Sequence, residues 1–227
     1  MPKPTPLIVA VDVAFASVRD GALVALLRRR DDATATGGDW ALPGGVVRAG
    51  EGLEATVARV LAEKAGGAQG YVEQLKTFGD PGRDPRGHVV SVAHMALAPL
   101  PVLEVVAEAD EALALATVAV DWEGEAGGEA SATLEGVLLS LAFDHAVILS
   151  ELVKRLRGRL DYTPLGLEML PPRLTLRDAQ AVWEAVQART FAKPAFRRRL
   201  LDRGWLRATG EREAGGAHRP AELFERV

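Results

Sequence analysis

The stretch from Leu42 to Gly67, LPGGVVRAGEGLEATVARVLAEKAGG, constrains the fold more than any other part of the chain. An apolar run ends at Leu42-Pro43, and the pair Gly44-Gly45 lets the backbone bend where a side chain would obstruct it. A loop runs through Glu51. Leu53, Val57 and Leu61 then recur at helical spacing, and Gly66-Gly67 is a stop signal. Strand, sharp turn, loop and helix follow one another within this one stretch.

That unit resembles a Nudix box, whose pattern is a glycine, five residues, a glutamate, seven residues, then R-E-u-x-E-E-x-G-u. The glycine is Gly45, the first glutamate Glu51, the arginine Arg59, the apolar position Leu61 and the late glycine Gly66. The three helix carboxylate positions hold Val60, Glu63 and Lys64. Residues at i, i+3 and i+4 share one helix face, so three carboxylates there would hold Mg²⁺ beside a diphosphate. Val60 deletes a ligand, and Lys64 puts a cation where the metal would sit. A lysine can meet a diphosphate directly as a point charge. Val60 can equally widen the apolar stripe, with Lys64 a solvated helix-end charge. Taken together in this frame, the two changes predict binding without hydrolysis.

No cysteine is present among the 227 residues, which removes disulfides and cysteine-rich zinc sites. The first residues carry no charged, apolar leader pattern, and no run is long enough to span a bilayer, so a cytoplasmic location with no membrane partner is expected. The net charge of −4 conceals an asymmetry. Residues 171–227 hold 12 Lys/Arg against 7 Asp/Glu, and the remainder 15 against 24. An acidic body with a basic tail is the balance of a nucleic-acid-binding C-terminal unit.

Leu7 to Val18 and Ala22 to Arg30 read as strands joined at Arg19-Asp20-Gly21. Arg28, Arg29 and Arg30 end the second, either as a solvated edge or as anion contacts. Tyr71 to Phe78 and His88 to Leu97 read as strands around GDPGRDPRG, where Arg83 and Arg86 are interleaved with prolines and glycines. Guanidinium forks suit phosphate, so Arg83 and Arg86, with Asp84 between them, are candidate effector contacts. Ala98 to Val106 has no clear pattern. Asp110 to Trp122 suggests a helical start and a strand at Thr117 to Val120. From Leu141, apolar residues at helical spacing predict a helix, with Asp144 and His145 at its start as a possible dyad or, for Asp144, a helix-start charge. No GxSxG, P-loop or HExxH pattern suggests another chemistry, and no catalytic residue is assigned.

A proline-punctuated connector, DYTPLGLEMLPP, begins at Asp161, and the expected division is 1–160 and 161–227. Thr175 with Asp178 forms an approximate capping box for a helix burying Leu176, Ala179, Val182, Trp183 and Val186. After a short turn, Pro194 opens a second, basic helix, KPAFRRRLLDRGW. At ~100° per residue, Phe196, Leu200 and Leu201 define its buried side. Arg197 is expected along the core edge and Arg198 and Arg199 opposite, with Lys193 near phosphate. Trp205 to Thr209 and Ala221 to Arg226 read as strands of a wing, with His218 and Arg219 in or beside its turn.

A Nudix-like domain followed by a winged helix resembles the Nudix-related transcriptional regulators of the NrtR type. The likeness rests on AEKAGG, TFGDPGRDPRGHVVSVAH, LAFDH, YTP, and FRRRLL with HRPAELF. It implies an α+β fold: a Nudix-like α/β/α sandwich followed by a winged helix-turn-helix domain. It further implies a homodimeric repressor that binds a palindromic double-stranded DNA operator, senses ADP-ribose or a related nucleotide and serves NAD metabolism. The effector site would draw on Gly45, Glu51, Glu63, Lys64, Arg83, Asp84 and Arg86. The DNA site would draw on Lys193, Arg197, Arg198, Arg199, His218 and Arg219. No bound cofactor or metal is expected. The rival is a Mg²⁺-dependent ADP-ribose or nucleoside-diphosphate-sugar pyrophosphatase using Glu51, Glu54 and Glu63. A third reading is an interaction module with neither site active.

Overall fold

The computed structural model describes residues 7–31, 38–122, 127–213 and 220–227. Strands β1 (Ile8–Arg19) and β2 (Ala22–Arg29) form a hairpin. Its two turn residues, Asp20 and Gly21, have φ of 52° and 76°, the left-handed pair that a tight hairpin turn requires. The chain continues through β3 (Trp40–Ala41), β4 (Gly44–Val46), α1 (Leu53–Lys64), β5 (Tyr71–Phe78) and β6 (Val89–Leu97). It then forms α2 (Leu100–Ala109), β7 (Leu113–Val120), β8 (Ala130–Leu134), β9 (Val137–Leu138) and α3 (His145–Arg159). Among the described residues the sheet runs β5-β6-β1-β2-β7-β8-β9, with β3 on β2 and β4 on β1. Strands β1 and β6 pair in parallel and the other pairs are antiparallel.

The period-two rule of a strand divides the interior. Val11, Val13 and Phe15 of β1 join Val57 and Val60 of α1 and Leu103 and Val106 of α2. Ala14 and Ala16 join Ile148, Leu149 and Leu152 of α3. Helices therefore cover both faces of the sheet, as the α/β/α reading expects. No helix among the described residues is long and apolar enough to cross a membrane.

Three local expectations change. The patternless stretch after Ala98 contains α2, with Pro101 in its first turn and Leu103 and Val106 buried. The helical start expected at Asp110 is a turn instead, because the Asp110 carboxylate accepts the Ala112 N–H at 2.9 Å and its carbonyl accepts Leu113 N–H at 2.8 Å. That turn lets β7 begin at Leu113, four residues before the expected strand. The helix expected from Leu141 begins at His145, because Leu141 bridges to Trp40 and Phe143 has a left-handed φ of 57°.

After α3 come a 3-10 helix (Pro164–Met169), β10 (Arg173–Leu174), α4 (Leu176–Gln187), α5 (Lys193–Asp202), β11 (Leu206–Arg212) and β12 (Glu222–Arg226). The three strands pair in the order β10-β12-β11. Thr175 and Asp178 form the full reciprocal capping box. The α4–α5 turn is pinned twice: Phe191 N–H donates to Glu184, and Gln180 donates to Phe191 O. Trp183, Val186, Phe196 and Leu200 belong to the same buried cluster as Leu156 and Leu160 at the end of α3. Helix α3 thus joins the large sheet to the winged unit through continuous apolar packing.

Candidate functional site

The Gly44-Gly45 bend sits against β1, with Gly44 opposite Asp12. A Cβ at Gly44 would fall 2.2 Å from Asp12 Oδ1 and 2.9 Å from the Val11 carbonyl, so only glycine fits. Asp12 is buried and accepts from the Ser91 hydroxyl at 2.6 Å. Arg83 is buried beside it, donating to both oxygens of Asp144 at 2.5 and 2.9 Å and standing 3.5 Å from Asp12. His145 Nδ1 accepts the Leu42 N–H at 2.9 Å, which leaves the ring's Nε2 facing Asp12 at 3.5 Å. Burial alone would raise the Asp12 carboxyl, but His145, Ser91 and Arg83 together hold it below the usual carboxylate range.

This cluster floors a cleft of about 260 Å³ lined by Asp12, Arg30, Gly44, Gly45, Arg83, Asp84, Arg86 and Phe143, among others. Arg86 reaches its rim, its side chain about half exposed, with Asp84 bridging its Nε and Nη2 at 3.0 and 2.7 Å. A neighbouring cleft shares Arg30, Ala41, Leu42 and Gly44 and adds Arg28, Arg29, Asp31 and Lys64. Lys64 of the box helix therefore meets the arginine run that ends β2. The sequence left that run undecided between a solvated edge and an anion contact.

The box carboxylates have other partners. Glu51 binds Arg59 through Nε and Nη2, each at 2.8 Å, and accepts from Thr56 and the Arg48 amide. The Arg59 guanidinium brings the Glu51 carboxyl down to about 2 from its ordinary 4.5. Glu63 lies 3.5 Å from both Arg48 and Arg59. Val60 is fully buried and would touch a Cβ at Gly45. Glu54 lines a different groove with Leu53, Val72 and His94. The makeshift set Glu51, Glu54 and Glu63 is thus not assembled, and among the described residues no three His, Cys, Asp or Glu side chains gather as a metal site.

A depressed carboxyl stabilises the fold above its unfolded value and loses that contribution as pH falls through the folded one. Melting temperature should therefore fall between about pH 4.5 and pH 2 in part through Glu51. Glu51→Gln is expected to melt lower at neutral pH and to show a shallower fall across that window. Parallel profiles in a pH series of thermal melts would count against the Glu51–Arg59 contribution.

The dyad alternative and the placing of three α5 side chains are corrected. Asp144 and His145 form no dyad: adjacent residues at a helix start diverge, and Asp144 turns to Arg83 while His145 turns to Leu42 and Asp12. On α5, Phe196 and Leu200 are buried but Leu201 only partly, so the buried arc is narrower than expected. Arg197 accordingly leaves the core edge and is exposed, 3.5 Å from Glu222. Arg199 turns to Asp161 at 2.5 Å rather than outward with Arg198. Arg198 and Lys193 are exposed as expected. His218 and Arg219 lie outside the described residues. Arg30, left undecided in the sequence, lines the cleft, and so does Phe143, which was not singled out there and whose signal is an aromatic before a helix cap.

A Nudix domain model matches residues 6–127, and a model of the NrtR DNA-binding winged helix domain matches residues 166–225. The chain is 34% identical over 224 residues to a protein of Acinetobacter baylyi named ADPR responsive transcriptional repressor NtrR, covering 97% of this chain and 82% of that one. A shorter likeness, 44% over 55 residues, is to an ADP-ribose pyrophosphatase of Methanocaldococcus jannaschii, covering 24% of this chain and 32% of that one. Among solved structures, Shewanella oneidensis NrtR complexed with a 27mer DNA superposes with a TM-score of 0.79 at 28% identity, covering 96% of this chain and 93% of that one. With both domain models matched in order and a relative 34% identical over 224 residues, the chain belongs to the Nudix-related transcriptional regulators of the NrtR type.

Proposed function

We propose that this chain is an ADP-ribose-responsive transcriptional repressor of NAD metabolism, binding a palindromic operator as a homodimer. Residues 1–160 form its effector domain and residues 161–227 its DNA-binding domain. The observation that carries the effector half is the cationic cleft where Lys64 stands with Arg28, Arg29 and Arg30. At the box, Val60 removes one carboxylate and Lys64 replaces another with a cation, so a diphosphate is met by protein cations without a bridging metal. Gly45 and Arg86 line the adjoining cleft; Arg83 sets its floor, Asp84 braces Arg86, and Glu51 and Glu63 hold Arg59 and the box loop. This arrangement supports binding over hydrolysis.

On the DNA side, α5 enters the major groove with Arg198 toward base edges, Arg197 and Lys193 toward phosphate, and Arg199 fixing α5 against Asp161. Helix α3 couples the halves. At one end Asp144 and His145 grip the cleft. At the other, Arg157 donates to Val186 O at 2.7 Å, and Trp183 donates to Leu160 O at 3.1 Å. An effector that shifts α3 changes the spacing of the two recognition helices, which should sit about one DNA turn apart.

The test is a gel shift with DNA flanking the protein's own gene, with and without ADP-ribose at moderate salt. Arg198→Ala is expected to cost about 1–3 kcal/mol of operator binding and leave ADP-ribose affinity unchanged. Arg199→Ala should cost less, because Asp161 already holds that guanidinium. Equal loss of both affinities in Arg198→Ala would sink the division of labour. Mg²⁺-dependent release of AMP from ADP-ribose, lost in Glu63→Gln, would move the assignment to the pyrophosphatase.

A further inference from the structure

The ring of Phe143 lies under two guanidiniums from different walls of the cleft. Arg30, just beyond β2, stands 4.7 Å from its centroid, and Arg86, on the β5–β6 loop, stands 4.9 Å from it. An aromatic face attracts a cation and orients it. Unlike a carboxylate, it does so without cancelling the charge. The two arginines are therefore drawn together at the cleft, where Asp84 also holds the Arg86 guanidinium.

The backbone at Phe143 shows that this placement is held against a cost. Its φ of 57° is left-handed, a region that side chains other than Asn, Asp and Gly seldom adopt. Both neighbours are fixed. Ala142 N–H donates to Trp40 O at 2.8 Å, and Asp144 clamps Arg83 through both oxygens. At Gly38, a Cβ would fall 2.5 Å from Ala142 N, so that segment admits no side chain against this turn. The surroundings over-determine one strained residue beside a cleft, the pattern associated with functional sites.

We propose that Phe143 is a positioning residue for the effector: its ring aims Arg30 and Arg86 together at the diphosphate of a bound nucleotide. This deepens the proposed function and rests on it for the identity of the nucleotide, though not for the diphosphate.

The experiment titrates full-length wild type, Phe143→Leu and Phe143→Tyr with inorganic pyrophosphate and with ADP-ribose by calorimetry at several salt concentrations. Thermal melts check that each variant is folded. Phe143→Leu should weaken both ligands about tenfold and flatten the dependence of affinity on salt. Phe143→Tyr, which keeps the ring, should restore affinity to within about threefold. Unchanged affinity and salt slope in Phe143→Leu would overturn the proposal, as would a loss that Tyr does not rescue. A wild type that binds pyrophosphate but not ADP-ribose refutes the nucleotide reading and leaves Phe143 to be judged by its variants. A wild type that binds neither overturns both.

Discussion

Trp183→Ala should destabilise the winged helix by about 3–5 kcal/mol and abolish DNA binding at temperatures where the wild type binds. The indole is 1% exposed. It meets the Phe196 ring edge-on, 5.8 Å between centroids, and so supports α5 from beneath. Its Nε1–H donates to Leu160 O, the carbonyl at the end of α3. Gly166 is part of the same fit, since a Cβ there would come 2.7 Å from the indole. Truncation therefore opens a cavity and also leaves a buried carbonyl without its donor. Trp183→Phe separates the two costs: it keeps most of the volume, loses the N–H, and should cost about 1–3 kcal/mol. Calorimetric scans check both variants. Equal losses would place the effect in the hydrogen bond rather than the packing.

What the sequence disclosed followed local chemistry. The capping box at Thr175 and Asp178, the strand from Tyr71 to Phe78 and the Asp20-Gly21 turn each rest on neighbouring residues, and each was legible. The winged unit and the altered box were legible for the same reason, since their signals lie within short stretches. Partnerships across long separations were not. Arg83 and Arg86 look equivalent in GRDPRG, yet Arg83 is consumed by Asp144, 61 residues away, while Arg86 stays at the rim. Nothing near Lys64 announces that the arginines of β2 share its cleft. Arg197 and Arg199 exchanged their expected environments because Asp161, outside the helix, competes for one of them. Helical phase alone cannot contain that information.

Asp144→Ala is expected to destabilise the fold by about 3–5 kcal/mol, because it strands the Arg83 guanidinium in a site whose side chain is only 3% exposed. Asp12, 3.5 Å away, is a poor substitute, since Ser91 and His145 already engage it. The cost is that of an uncompensated buried charge rather than the net worth of the pair. Replacing Arg83 with Met in the same protein should therefore recover part of the loss, whereas two independent defects would add. Urea unfolding of the two single variants and the double variant decides this. A loss under about 1 kcal/mol in Asp144→Ala would mean that water reaches Arg83 and that the cluster is not sealed. The same cycle bears on the effector response. Asp144 ties the loop between β5 and β6 to the first turn of α3, and α3 carries the winged helix at its far end. A double variant that refolds and binds both ADP-ribose and operator DNA, but whose DNA binding no longer responds to ADP-ribose as the wild type's does, would show that this tie transmits the signal as well as holding the fold.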